Sequence, residues 1–510
     1  MPSKRNTSLR SPGWHGSGMP SKSPRMCPPR YRQGGAFAIM AMPLLLLMIG
    51  ICALALDLGQ IYNRKVDLNG FAKNIALAAA HELNGTSAGI AAARAKAKET
   101  AESLKYQHFN RGTSFAWNDA ALTFSTDSSR TGTWVDGSSP SGLYFAKVDT
   151  SALDPAAGQV NTFLIWILSS SQRTVQLSDS AIAGRKQISV TPIGVCAMDS
   201  TPAVARTNTG APATELVEYG FRRGISYDLM QLNPNGTSPV RYLINPVIAP
   251  GVSSSTFDTS LIGPFICTGA MWVPRLSGGA VRVSPLPSTS PLADLSAQLN
   301  TRFDDFSSLQ CGPYGAPPDY NIKAYAYGTT GGAPWMVPTT GSAAAMSTTS
   351  RDKLETIADL PSAPAGTTAG SYGPLWTFAK AAKYPSYVSL GSPEPATGYS
   401  TFSTSDWTNL YKLGPTVSGY PSSSTPYAAT GGANYRAPSA ANRNISTSQR
   451  RVLNIPLLSC PVPAGSNVPA TVLGIGKFFM TVPATANSLI AEFAGTLAEQ
   501  SISSQVEIYP

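Results

Sequence analysis

Residues 36–56 read AFAIMAMPLLLLMIGICALAL, an apolar run without one charged side chain. Wound as a helix at about 1.5 Å per residue, it spans roughly 31 Å, the thickness of a bilayer's hydrocarbon core. The run predicts a transmembrane helix close to the start of the chain. Pro43 lies inside it and removes one helical hydrogen bond, freeing the carbonyl of Ile39. Membrane helices tolerate this where packing or local adjustment satisfies the freed group. A cleaved signal peptide is the competing reading, since Ala53-Leu54-Ala55 has the A-x-A form. A signal's apolar region is normally about 7–15 residues long, and this run is longer.

Charge sets the expected orientation. Residues 1–35 contain Lys4, Arg5, Arg10, Lys22, Arg25, Arg30 and Arg32 and no acid. Positive charge is retained in the cytoplasm, so the tail stays inside and everything after Leu56 is exported. The formal net charge is +10, and without those seven cations it is +3. The basic balance therefore reports topology and gives no reason to expect a nucleic-acid partner. Met1-Pro2-Ser3-Lys4 recurs as Met19-Pro20-Ser21-Lys22, and Met26 follows. The first 25 residues have no apolar periodicity and are expected to be disordered, and the first 18 to 25 to be dispensable or not translated at all.

Only 13% of residues are charged, while Gly and Pro number 45 and 42. That is the composition of a turn-rich exported protein. Residues 57–83 carry Leu58, Ile61, Leu68, Phe71, Ala72, Ile75, Ala79 and Leu83 at helical spacing. Asn84-Gly85 reads as a helix stop, and Thr86 or Ser87 as the cap of a second helix over about 88–106, with Ile90, Ala93, Ala97, Ala101 and Leu104 on one face. The Ala-rich faces fit packing within the chain and packing against neighbouring subunits equally well. From residue 109 onward the helical period is lost. Strands are expected at Gly142–Val148, Thr162–Leu168, Thr174–Leu177, Ile188–Ile193, Val240–Ile248, Val452–Ser459 and Lys477–Val482, and a short helix at Ala484–Gln500. The predicted class is α+β. Its parts are a basic tail (1–35), the span (36–56), a helical stalk or hairpin (57–108), a β-rich exported domain (109–361), a Gly/Ser/Thr/Pro/Tyr-rich insertion (362–442) and terminal strands with a helix (443–510).

Around the span an ordered set of features recurs: Arg30 and Arg32, Gly34 and Gly35, Pro43, Asp57-Leu58-Gly59, Tyr62, Arg64 and Lys65, then the Ala-rich stretch Ala76–Ala80. Over residues 32–83 this resembles the N-terminal segment of TadG-like proteins of the tight-adherence (Tad, or Flp pilus) assembly system. The resemblance implies a single-pass inner-membrane protein, related in its N-terminus to pseudopilins. Its partners would be the lipid bilayer and other Tad assembly proteins, with Gly35, Pro43, Asp57, Gly59 and Tyr62 marking the assembly helix. Two departures stand out. Processed relatives carry Glu at the fifth position after the cleaved Gly, where this chain has Met40 or, counting from Gly34, Ile39. The mature protein is therefore expected to keep its span. Some longer relatives carry a von Willebrand A metal site; the nearest fragment here, Asp127-Ser128-Ser129-Arg130-Thr131, reads as a turn with no strand leading into it.

Chemistry-bearing residues are sparse. Cys196, Cys267, Cys311 and Cys460 fall on the exported side, where disulfides persist, and three pairings are open. Cys27 and Cys52 read as single thiols. With no C-x-x-C and only His15, His81 and His108, neither zinc nor a histidine-based catalytic site is expected, and no cofactor. Asp304-Asp305 has no distinctive spacing, and the Gly pairs at 331–332 and 431–432 follow no strand. The aromatic series Tyr372, Trp376, Tyr384, Tyr387, Tyr399, Trp407, Tyr411, Tyr420 and Tyr427 has two readings. Trp376 and Trp407 are candidate glycan contacts, through which a stand-alone anchored adhesin would meet a host surface. The alternative is that the rings anchor a long loop onto the core. The expectation is a non-enzymatic component of a Tad-type apparatus, acting by helix packing.

Overall fold

The computed structural model describes residues 34–510 except 84–86, 109–115, 127, 140–142, 163–172, 186, 249, 252–260, 278, 308–309, 327–332, 339–342, 389–393, 503–505 and 510. The chain divides into two compact units, residues 1–61 with 161–174 and residues 62–160 with 175–510. In the first, the described residues are the N-terminal part of a long helix, α1 (Gly34–Glu82), and residues 161–162 and 173–174, where the Thr162 N–H donates to the Arg173 carbonyl at 3.1 Å. Pro43 lies within the helix, as expected. Most of the expected strand Thr162–Leu168, and the stop residues Asn84-Gly85, lie outside the described residues.

In the second unit, α1 continues and changes character. Leu68, Phe71, Ala72, Ile75, Ala76, Ala79 and Ala80 are fully buried, one stripe at three- and four-residue spacing. A second helix, α2 (Ser87–His108), buries Ile90, Ala93, Ala97 and Ala101. The Ala faces thus pack within the chain. Their counterpart is a sheet.

The strands that form the two main sheets are, in chain order, β1 (Leu122–Ser125), β2 (Phe145–Asp149), β3 (Ser180–Arg185), β4 (Ile193–Cys196), β5 (Ser226–Asp228), β6 (Tyr242–Ile244), β7 (Ala280–Pro285), β8 (Val452–Leu458), β9 (Val468–Met480), β10 (Ile490–Leu497) and β11 (Val506–Tyr509). The order β1-β2-β3-β11 makes an antiparallel four-stranded sheet. Leu122, Phe124, Ala146, Val148, Ala181 and Ala183 turn from it onto the two helices and close one core. Small residues on both sides let helix and sheet backbones come close, so burial is dense although few side chains are large.

Everything between β3 and β11 is one long excursion that forms the head. Its sheet runs β5-β10-β9-β7-β6-β4-β8, and β8 also pairs with β9. The pairings β4–β6, β6–β7, β7–β9, β9–β8 and β8–β4 therefore close a ring of five strands. Ring closure removes unpaired edges that would invite aggregation. Ile188, Val190, Ile244, Val281, Val283, Leu458 and Ile475 belong to one core there. A larger core gathers Phe478, Phe493, Tyr227, Trp335, Trp376 and Trp407. The head thus joins in one sheet the segments 109–361 and 443–510 that composition sets apart, with the strand-poor 362–442 between them.

Several expectations change. Ala484–Gln500 holds no α-helix; its centre is strand β10. Leu489, Phe493 and Leu497 recur at helical spacing, but the strand is buried from Ala491 through Gly495, so both faces are filled and no period of two shows. The strand expected at Lys477–Val482 begins nine residues earlier, at Val468. Ile188 makes only an isolated bridge to Met271, and the strand proper starts at Ile193. Strand β1 does lead towards the Asp127–Thr131 fragment, against expectation. Its described part is nevertheless a turn, with the Gly132 N–H donating to the Ser129 carbonyl at 3.1 Å.

Candidate functional site

Two features of the chain face outward with chemistry to offer. The first is α1 before residue 60. Met40, Met42, Leu44, Leu45, Leu46, Leu47, Met48, Ile49, Ile51 and Leu58 are all largely exposed. Among the described residues this is the one helix long and apolar enough to cross a membrane. An apolar surface of this extent, broken only where Ala53 and Asp57 are buried, marks a lipid or protein contact. Gly35, Pro43, Asp57, Gly59 and Tyr62 all lie on this helix. A Cβ at Gly59 would meet nothing within 4 Å, and Tyr62 is 70% exposed. The small residue and the ring are therefore open to a partner, whereas Asp57 is buried and already engaged.

The second is a cleft in the head, of about 210 Å³. It is built on a tight hairpin. The strands Glu215–Glu218 and Phe221–Arg222 are joined by Tyr219 and Gly220, whose φ angles are 50° and 81°. Two left-handed residues in succession match the twist of the strands they connect. The turn lays the Tyr219 ring flat against β9. A Cβ at Gly474 would come within 2.6 Å of that ring, so only glycine admits it. The Tyr219 hydroxyl donates to the Leu473 carbonyl at 2.7 Å. Tyr387, Tyr399, Glu394, Thr496, Ser277 and Glu499 complete the walls with aliphatic residues of β9 and β10.

Beneath the cleft runs a chain of charges. Arg223 holds Glu218 at 2.6 Å and Glu394 at 3.0 Å, and Lys477 stands 3.6 Å from the other Glu394 oxygen. Glu218 also accepts from the Thr496 hydroxyl at 2.7 Å. Burial works to raise the Glu394 pKa, but Arg223 and Lys477 outweigh it and hold the carboxyl below its ordinary range. Burial lowers Lys477. The Arg223 guanidinium lies 4.8 Å from the Tyr399 ring centre and covers one of its faces.

Two further buried charge clusters of the head are structural. Glu215 takes a bidentate pair from Arg222, with Arg222 also reaching the carbonyls of Ala358 and Leu410. Asp319 receives Tyr427 and the Arg451 N–H, while the Arg451 guanidinium donates to the carbonyls of Asn321, Lys323, Met480 and Thr481. Each saturates a buried ion with partners, the condition under which burial is tolerated.

Trp376 and Trp407 are not where a glycan contact would have to be. Both are fully buried and stacked on each other at 4.9 Å, with Tyr411 and Tyr420 against their edges. They anchor the strand-poor segment onto the core. Of the aromatic series, Tyr387 and Tyr399 are the ones brought into the cleft. Tyr219, Glu394 and Lys477 had no signal in the sequence, because a lone Tyr-Gly turn and scattered charges converge only in the fold.

All four cysteines of the head are paired. Cys196 joins Cys460 across the parallel β4–β8 contact, with Cα atoms 5.7 Å apart, and Cys267 joins Cys311 at 6.2 Å. Cys52 is free and exposed. Alkylation of the denatured, unreduced protein should therefore leave Cys196, Cys267, Cys311 and Cys460 unmodified and label Cys52. Peptide mapping that finds a label on any of the four contradicts the pairing. Cys27 and Asp127 lie outside the described residues, as does the His108 side chain; His81 is exposed. Among the described residues no three metal-ligating side chains cluster. The chain matches no family model, no curated protein and no solved structure.

Proposed function

We propose that the protein is a membrane-anchored component of a tight-adherence (Flp-type) pilus assembly or secretion system, acting through packing of its N-terminal helix. The supporting observation is the two-part character of α1. Its first part exposes apolar side chains over most of its length, and its second part is buried in a helix–sheet core. An exposed apolar helix surface of this kind is what packing among similar helices would use. The two disulfides suit an oxidising compartment on the far side of the inner membrane. The N-terminus is then cytoplasmic and the head periplasmic or surface-exposed.

A reporter enzyme active only in the periplasm should work when fused after residue 110. Silence of that fusion, with activity of a cytoplasmic reporter at the same site, reverses the orientation. Partner choice is read separately. A photo-crosslinking residue placed at Tyr62 should capture other membrane subunits of the same apparatus in living cells. Adducts to lipid alone would favour a surface protein that acts by itself through its head.

A further inference from the structure

We propose that the head cleft between Tyr219, Tyr387 and Tyr399 binds one neutral pyranose unit of a glycan. The first support is a contrast among tyrosines. Those that anchor the head have their hydroxyls committed: Tyr219 to Leu473, Tyr227 to Asp359, Tyr372 to Lys412, Tyr420 to Trp376 and Tyr427 to Asp319. Tyr387 and Tyr399 are partly exposed and their ring centres are 5.9 Å apart; the Val388 backbone N–H meets the Tyr399 hydroxyl, which leaves that hydroxyl's own proton to donate. The two rings are inclined to each other at 52° at a cavity wall; Arg223 covers one face of Tyr399 and Tyr384 stacks on Tyr387, so the inner sides are packed and the cavity side offers ring edges and hydroxyls.

Size and charge narrow the class. A cavity of about 210 Å³ admits a single six-membered ring with its substituents and not an extended chain. Glu218, Arg223, Glu394 and Lys477 neutralise one another in a continuous network. No lining cation is left over to hold a phosphate or carboxylate, which disfavours an anionic ligand. The remaining carboxylate, Glu499, accepts the backbone N–H groups of Leu276 and Ser277. Neutral donors do not cancel its charge, so a cation is the competing ligand, which the arginine amide in the test addresses. What remains is a ligand with an apolar C–H face for the Tyr387 and Tyr399 rings and hydroxyls for the Tyr oxygens and Ser277. A pyranose has both on one rigid ring. Gly474 sets the depth, since any larger residue would displace Tyr219 from the floor.

The test uses the intact, detergent-extracted protein and saturation-transfer NMR with the methyl pyranosides of glucose, galactose, mannose and N-acetylglucosamine. Transfer to at least one is expected, strongest on the ring C–H protons, with millimolar affinity. Tyr387→Ala and Tyr399→Ala should each weaken it by about tenfold, the loss of one stacked ring. Tyr399→Phe should retain more binding than Tyr399→Ala, because it removes only the hydroxyl. Unchanged melting and disulfide mapping of the variants separates lost binding from lost folding. The proposal is overturned if none of the four sugars shows transfer. It is equally overturned if the tyrosine variants bind as the parent does, or if an arginine amide is bound while the sugars are not. None of these outcomes bears on membrane insertion, so the two readings fail separately.

Discussion

Trp376→Ala should lower the stability of the head by about 3–5 kcal/mol, against a typical total of about 5–15 for a domain. The ring is fully buried and stacked on Trp407. Its Nε1–H donates to the Tyr411 hydroxyl at 2.7 Å, its carbonyl accepts from Tyr420 at 3.0 Å, and its N–H donates to Gly224 at 3.0 Å. Truncation leaves a cavity beneath Trp407 and strands the Tyr411 hydroxyl in the core. Gly224 has φ at 81° and would place a Cβ 2.3 Å from the Trp376 ring, so the hairpin backbone is shaped to this side chain and cannot collapse into the gap. A melting midpoint lower by roughly 10 °C is expected. Tyr314→Ala, at a ring 89% exposed, should change stability by less than about 0.5 kcal/mol. The experiment also judges the surface-ligand alternative. If Trp376→Ala melts like the parent but loses sugar binding, the ring contacts ligand and does not anchor the head.

How legible this was in the sequence varies with the kind of signal. The long helix was plain because two independent periods agree: an uncharged run of membrane length, then Leu68, Phe71, Ile75 and Ala79 at helical spacing. The second helix followed from its Ala stripe. The head was harder. Its central strands β4 and β10 are buried on both faces, which erases the alternation that identifies strands, and in β10 Leu489, Phe493 and Leu497 imitate a helix. The four-stranded sheet could not be read at all, because its last strand lies more than three hundred residues after its third. No local pattern encodes such a return. The cleft shows the same limit. Tyr387 and Tyr399 were visible as aromatics in a loop-like stretch. Their difference from Trp376 and Trp407 is one of burial, which composition does not record.

Stability should fall as pH rises from about 5 to about 8, chiefly through Glu492. This carboxylate is fully buried on β10 and accepts the backbone N–H groups of Thr377, Phe378 and Ala379, at 2.6, 2.9 and 2.7 Å, and the Thr377 hydroxyl. Burial raises its pKa and outweighs the four donors, which work to lower it, so the group is pushed up from 4.5 to about 7. Burial likewise pushes Asp359 and Asp228 up to about 6, against opposing hydrogen bonds. For acids whose folded pKa lies above the unfolded value, the stabilisation is complete below the unfolded pKa. It is lost as pH rises through the folded one, here between about 4 and about 7. Glu394 has the opposite sign: Arg223 and Lys477 hold it low, so its contribution disappears only as pH falls below the ordinary carboxylate range. The optimum should thus sit near pH 5, at about the unfolded value of the buried acids. At about 1.4 kcal/mol per pKa unit, Glu492 alone accounts for on the order of 3 kcal/mol across the window. Urea midpoints measured at about pH 5 and about pH 8 should show the difference, and Glu492→Gln, which cannot ionise, should remove a large part of it. A variant with the parent's full pH slope would mean that Glu492 does not titrate in this range. The carboxylate would then be held ionised by its four donors at every pH at which the protein is folded.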